Sequence, residues 1–222
     1  MKRAAHWRPG VFLTLEGGEG AGKSTLARLL AERARGEGID VVMTREPGGT
    51  AGAEALRHVV LSGAARRFGA FAEALLFAAA RADHLNAVIR PALARGALVI
   101  CDRFSDSTRA YQGIVGGLGS NILDALERVS TGSTRPDLTL ILDIDPDDAL
   151  ERRRQRAGNG DRFENEGAAF HAKLRAAFRQ IALDNPQRCR LLNGAQSKDK
   201  LGAEAWRLVD AVLATRNIAV HA

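Results

Sequence analysis

The sequence predicts an α/β fold in which a five-stranded parallel sheet carries helices on both faces. Three observations predict it. Apolar runs of strand length recur five times, stretches rich in Ala, Leu, Arg and Glu with helical spacing separate them, and the residues that follow the runs carry the distinctive chemistry. Strands alternating with helices form right-handed βαβ units around a sheet buried on both faces. Ligands on such sheets bind beyond the carboxyl ends of the strands.

The first run is Val11-Phe12-Leu13-Thr14-Leu15, followed by a glycine-rich loop and then the helical spacing Leu26-Leu30-Ala34. The second, Asp40-Val41-Val42-Met43-Thr44, leads into Arg45-Glu46-Pro47-Gly48-Gly49-Thr50. A helical stripe Leu75-Ala79-Leu85 precedes the third run, Ala97-Leu98-Val99-Ile100-Cys101, after which come Asp102-Arg103-Phe104. The fourth, Leu138-Thr139-Leu140-Ile141-Leu142-Asp143, ends at Ile144-Asp145-Pro146, where a new helix starts, and Cys189-Arg190-Leu191-Leu192 is a weaker fifth. With no internal repeat and no linker, residues 1–222 read as a single domain, with 1–10 as an N-terminal extension.

Composition narrows the function classes. No apolar run approaches the roughly 18–20 residues that span a bilayer, and Met1 to Gly10 lacks the apolar stretch of a secretory leader, so the expected location is the cytoplasm and no membrane partner is expected. Cys101 and Cys189 sit in or beside apolar runs as small core residues, which argues against a disulfide framework. The five histidines are scattered without zinc-site spacing, so any catalytic metal must be held by oxygen. A charge of +6 and a pI near 10.0 would suit nucleic acid, but there is no basic tail, and a small anionic substrate explains the same excess.

The loop Gly17-Gly18-Glu19-Gly20-Ala21-Gly22-Lys23-Ser24 matches G-x-x-x-x-G-K-S at every specified position, between an apolar strand and an amphipathic helix as that motif requires. The expected architecture is therefore the P-loop NTPase fold. Its backbone N–H groups turn toward phosphate oxygens, Lys23 adds a mobile charge, Ser24 offers a hydroxyl to magnesium, and the helix N-terminus adds its positive end, so that Gly17 to Thr25 are the expected nucleotide-binding residues. ATPases, GTPases and kinases share this loop. No N-K-x-D element for guanine occurs, which sets the GTPase branch aside.

Thr44-Arg45-Glu46-Pro47-Gly48-Gly49-Thr50, Leu76-Phe77-Ala78-Ala79-Ala80-Arg81, Asp102 to Gly113 with its Ala110-Tyr111-Gln112-Gly113, and Arg135-Pro136-Asp137-Leu138-Thr139 together resemble the bacterial thymidylate kinase family, in order from about residue 11 to residue 213. The resemblance implies ATP as donor with Mg2+, dTMP as acceptor, and a homodimer. Arg45, Arg57 and Arg103 would offer guanidinium forks to the acceptor phosphate. It further implies that Phe77 stacks on thymine while Arg81, four residues on and on the same helix face, bonds its carbonyl edge. Thr108 and Gln112 align with positions near the base, and Tyr111 with the residue that presses on the sugar and disfavours a 2'-hydroxyl. Asp102 stands where a carboxylate would hold Arg103 or organise magnesium through water.

Arg152 to Glu164 breaks from a basic helix into glycine and asparagine, and reads as a mobile lid over about 152–165. Thymidylate kinases carry a catalytic cation either inside the P-loop or on the lid. Gly18, Glu19, Gly20 and Ala21 include no basic residue, so the lid pattern is implied, with Arg156 as the first candidate and Arg162 as the second. Glu19 aligns with an acidic loop residue close to both acceptor and magnesium, and the resemblance implies Glu164 as a further carboxylate. Asn193-Gly194-Ala195-Gln196 is expected beside adenine. Phe104 and Ala78 depart from the family's common residues. The rival readings are a kinase of another nucleoside monophosphate and, from a different class, an ATP-dependent nucleic-acid-binding module.

Overall fold

The computed structural model describes residues 10–155 and 162–216. Its strands are β1 (Val11–Gly17), β2 (Val41–Arg45), β3 (Leu98–Asp102), β4 (Leu138–Asp143) and β5 (Cys189–Asn193), all parallel in the order β2-β3-β1-β4-β5. Each of the five apolar runs forms one of these strands. Since β1 lies in the middle with layers on both sides, all seven of its residues are buried. At the edge, β2 is half-exposed.

Side chains alternate across a strand, and β1 uses the alternation to serve two layers. Leu13 and Leu15 pack with Leu26 and Leu30 of α1 (Lys23–Gly36) and with Trp206 and Val209 of α9 (Lys198–Thr215). On the opposite face Phe12 packs with Val99, Phe104, Leu85 and Ile89. Ile141 of β4 meets Leu174 and Phe178 of α8 (Ala168–Asp184) there. Each buried side chain of this size contributes about 1.5–3 kcal/mol over exposure, so the centre of the sheet anchors the fold. Thr14, also on that face, satisfies its buried hydroxyl on Thr139 Oγ1 at 2.7 Å.

Helix α2 (Ala51–Leu61) starts at Thr50, whose hydroxyl accepts the Ala53 N–H at 3.0 Å. Helix α3 (Gly69–His84) runs through a π-helical turn, Leu85–Ile89, into α4 (Arg90–Ala94). A short α5 (Ser105–Thr108) likewise continues as a π-helical turn, Arg109–Val115, before α6 (Ser120–Thr131). Helix α7 (Pro146–Arg154) is capped by Asp145. The stripe Leu75-Ala79-Leu85 proves to be out of phase: Leu75 and Ala79 face outward, while Ala74, Ala78, Arg81 and Leu85 are buried. Alanine-rich α3 has apolar residues on most of its surface, so spacing alone did not select the inner face. Cys101 and Cys189 are free and buried, as expected of core residues.

The strand register aligns the carboxyl ends that matter. Leu15 lies opposite Asp102, Arg45 opposite Asp102, and Gly17 opposite Leu142. The phosphate loop and the residues after β2, β3 and β4 therefore meet along one rim.

Candidate active site

On this rim lies a cleft of about 640 Å3, within the usual range for small-molecule sites. One wall is the turn between β1 and α1. Gly17 has φ of +128°, and a Cβ there would lie 2.5 Å from the Leu142 carbonyl oxygen, so β4 passes too close for any side chain. Gly20, at φ of +80°, is pressed equally hard by α7: a Cβ would come 2.4 Å from the Ala149 carbonyl oxygen and 3.1 Å from Arg153 Cγ.

Lys23 bends its Nζ back across the loop, donating to Gly18 O at 2.8 Å and Gly17 O at 3.1 Å. Burial pulls its pKa down, aided by the Arg103 charge and opposed by Glu19, Asp102 and Glu16. Ser24 Oγ donates to Asp102 Oδ2 at 2.6 Å. Asp102, expected either to hold Arg103 or to organise magnesium, is bonded here to Ser24, while Arg103 pairs with another carboxylate. Glu19, Gly20, Ala21, Gly22, Lys23, Ser24 and Thr25 all line the cleft, while Gly17 and Gly18 form the back of the turn.

That other carboxylate is Glu19. Its Oε1 accepts Arg103 Nη2 at 2.6 Å and the Tyr111 hydroxyl at 2.8 Å. Burial pushes this carboxyl up, but Arg103, Lys23 and the Tyr111 hydroxyl outweigh it and bring it down to about 2. Arg103 also donates to Gly17 O and Ser107 Oγ, both at 3.1 Å. Its backbone φ of +72° makes it the only non-glycine residue with positive φ among those described, a conformation whose cost of about 1–3 kcal/mol must be carried by surrounding contacts. Tyr111 is fixed by edge-on contact with Phe163, 5.0 Å between centroids, and by Phe170 and Phe178.

The opposite wall carries the remaining residues singled out in the sequence. Arg45 pairs with Glu54 at 2.8 Å, and Arg57 donates to the Pro47 carbonyl at 2.8 Å. Phe77, Thr108 and Gln112 line the cleft beside them. Arg81 is almost fully buried, donating to Glu46 Oε2 at 2.8 Å and Thr108 Oγ1 at 3.1 Å beneath the Phe104 ring. Glu46 in turn meets His84 Nδ1 at 3.3 Å. Phe104, which departs from common family residues, is thus core, packed edge-on against Phe12 at 5.0 Å.

At the end of α7, where the expected lid begins, Arg152 Nη1 donates to the Gly194 carbonyl at 2.9 Å, and Arg153 reaches Glu19 O at 3.5 Å. Gly194 and Gln196 line the end of the cleft where adenine was expected. Arg162 does not line the cleft: its guanidinium pairs with Glu73 through Nη1 and, at 2.9 Å, through Nη2, and lies over Phe163. Gln112 Nε2 shares Glu73 at 3.2 Å. Glu164 lines the cleft. Arg156 falls outside the described residues.

Sequence reasoning missed three buried acids that organise these cations. Glu73 and Glu46 bind Arg162 and Arg81, and nothing in a single sequence announces a partner 89 or 35 positions away. Glu16 had one available signal, an acid at the end of an otherwise apolar strand, since buried carboxylates demand partners. It is fully buried and accepts Phe104 N at 2.8 Å, Ser107 N at 3.2 Å and Ser107 Oγ at 2.6 Å.

A phosphate cradle at β1–α1, an arginine-lined wall facing it and a basic helix, α7, whose Arg152 lines the cleft define a P-loop phosphotransferase for a small anionic acceptor. The family model described as thymidylate kinase matches residues 15–204. Curated proteins named thymidylate kinase from Nitrobacter winogradskyi and Nitrobacter hamburgensis are each 52% identical over 199 residues, covering 89% of this chain and 86% of theirs. One from a Bradyrhizobium strain is 53% identical over 202 residues, covering 90% and 89%. The chain belongs to the thymidylate kinase family.

Proposed function

We infer that this chain transfers the γ-phosphoryl group of ATP to dTMP, giving ADP and dTDP, a step toward dTTP. The observation that carries this reading is one continuous cleft with the phosphate loop and Arg103 on one side and Arg45, Arg57, Phe77 and Arg81 on the other, in a chain of this family.

An oxygen of the dTMP phosphate forms the new bond to the γ-phosphorus as the bond to the β,γ-bridging oxygen breaks. The nucleophile is already anionic, so no strong base and no covalent enzyme intermediate is required. Ser24 Oγ and Asp102 Oδ2 supply hard oxygen donors of the kind Mg2+ takes, close enough together to fit the ion and its waters. Held there with the triphosphate, Mg2+ would supply charge that offsets the phosphate oxygens. Lys23 shifts from loop carbonyls to phosphate oxygens, and the loop N–H groups hold the donor in line. Arg103, braced by Glu19, orients the acceptor phosphate with Arg45 and Arg57. Phe77 stacks on thymine, Arg81 reads its edge with Thr108 and Gln112 nearby, and Tyr111 borders the sugar.

The last cation comes from the lid. Arg162 is engaged by Glu73, which favours Arg156 as the residue that follows the moving phosphoryl group. Residues 1–222 act as one kinase domain with its lid at about 152–165. Exposed Phe71 and Leu75 on α3 and Val129 on α6, helices that pack together, suit the dimer face that the family implies. No helix of the described residues is long and apolar enough to cross a membrane, and we place the enzyme in the cytoplasm with its soluble substrates.

A panel of acceptors with ATP and Mg2+ tests the reading. Turnover is expected to be fast with dTMP and much slower with dCMP, UMP or GMP; the reverse order would overturn it.

A further inference from the structure

The phosphate loop begins one residue after Glu16, and this carboxylate touches neither the cleft nor any solvent. Its contacts are directed at the turn that carries Arg103. Oε1 accepts the backbone N–H groups of Phe104 and Ser107, the residues just past the strained Arg103 backbone, and Oε2 accepts the Ser107 hydroxyl at 2.6 Å. Ser107 Oγ in turn accepts Arg103 Nη1 at 3.1 Å. A hydroxyl has one hydrogen to give. While it goes to Glu16, the lone pairs of Ser107 face the guanidinium, so a buried charge two bonds back fixes the rotamer that Arg103 requires.

We propose that Glu16 is a positioning residue for the acceptor phosphate, acting through the Ser107 hydroxyl on Arg103, and that it does so only as the carboxylate. The proposal rests on Arg103 holding the acceptor, as read above. Protonating Oε2 turns it from acceptor to donor toward Ser107 Oγ, takes the acceptor from the Ser107 hydrogen, and removes the negative charge that draws Arg103 inward.

Surrounding groups set where that happens. Asp106 of α5 is fully buried beside Glu16 and is bound by Arg188, Nη1 to Oδ2 at 2.6 Å and Nη2 to Oδ1 at 2.8 Å. Arg188 also reaches Thr139 Oγ1 on β4 at 2.9 Å. Arg103 and Lys23 face Glu16 with positive charge, while Asp102, Glu19, Tyr111, Cys101 and Cys189 complete the titratable groups around the turn. Burial and the Asp106 charge raise Glu16 to about 7 against the pull of Arg103, Ser107 and the Phe104 N–H. Ionised Glu16 is then the form that predominates above neutrality and is lost as pH falls through that region.

The test is the pH dependence of kcat/KM for dTMP at saturating ATP and Mg2+, in wild type and Asp106→Asn, Ser107→Ala and Arg103→Lys variants. The second ionisation of dTMP itself, near pH 6 by analogy with other phosphate monoesters, is common to every curve. Asp106→Asn deletes a neighbouring negative charge and is expected to move the enzyme's acid limb down by about one pH unit, so that relative activity at pH 6 rises. Damage to the fold would only lower activity, whereas this variant gains at low pH. Ser107→Ala, which cuts the link, is expected to lose the limb, raise KM for dTMP and leave KM for ATP unchanged. Should Asp106→Asn fail to fold, loss of the limb in Ser107→Ala decides alone. An unmoved limb in Asp106→Asn, or a limb retained in Ser107→Ala, overturns the proposal. If Arg103→Lys leaves KM for dTMP unchanged, the reading of Arg103 itself fails; if it raises KM while the limbs stay put, only the role of Glu16 fails.

Discussion

Tyr111 donates its hydroxyl to the same Glu19 oxygen that receives Arg103, at 2.8 Å and 2.6 Å, so one carboxylate of the phosphate loop braces both the arginine we propose for the acceptor phosphate and the ring we propose beside the sugar. Tyr111→Phe removes only the hydroxyl. It is expected to raise KM for dTMP a few-fold, since Glu19 keeps Arg103, a loss on the scale of about 1 kcal/mol for one hydrogen bond. Tyr111→Ala removes the ring, and steady-state comparison of dTMP with its ribose analogue should show discrimination falling about tenfold or more. Equal discrimination in wild type and Tyr111→Ala would assign sugar selection elsewhere.

Glu16 and Glu19 lie three residues apart and act on stability with opposite sign. Glu19 is lowered from 4.5 to about 2, so its contribution, at most about 3 kcal/mol, is complete above pH 4.5 and disappears as pH falls through 2. Glu16 is raised from 4.5 to about 7, so the folded state holds its proton more tightly and stability declines between those values as pH rises. Thermal denaturation from pH 3 to 8 checks both. The Tm deficit of Glu19→Gln should be flat above pH 5 and shrink below pH 4, whereas Glu16→Gln should gain relative to wild type from pH 5 to pH 8.

Arg81 and Glu46 are both buried and satisfy each other. Arg81→Met leaves the Glu46 carboxylate only His84 as a charged partner and should cost about 3–5 kcal/mol. In a domain of this size that corresponds to a Tm fall on the order of 10 °C. The double variant Arg81→Met with Glu46→Gln should recover part of the Tm while KM for dTMP stays high. Recovery of both together would mean that Arg81 serves the fold alone.

Arg156→Ala is expected to lower kcat about a hundredfold or more with little change in ATP affinity, as removal of transition-state charge does. Arg162→Ala should instead act through Glu73, reducing Tm and leaving kcat within about tenfold of wild type. Exchange of these two phenotypes in single-turnover assays would move the catalytic role to Arg162.

The strands and the phosphate loop were legible because they depend on local sequence: Val11 to Gly17 is an apolar run ending in glycines, and its helix follows at once. The cleft residues were legible through the combination of short motifs at strand ends, and Glu19, Arg45, Arg57, Phe77, Arg81, Arg103, Tyr111 and Gln112 do gather around one space. The inner face of α3 was misjudged, because leucine at position 75 carries the apolar signal while alanines 74 and 78 do the packing. The supporting acids escaped notice for a different reason. Pairs such as Glu16 with Ser107, Glu73 with Arg162 and Asp106 with Arg188 are 91, 89 and 82 positions apart, and only the register of the sheet and the stacking of helices on it bring them together.

Gly20 touches the Ala149 carbonyl with no room for a methyl group between them, so the phosphate loop and α7, the helix that enters the proposed lid, share one surface although about 130 residues separate them in the chain. The two segments therefore behave as a matched cassette. Exchanging α7 for that of a relative is expected to require the matching loop as well, since a side chain at position 20 or a shifted Ala149 carbonyl would break the fit.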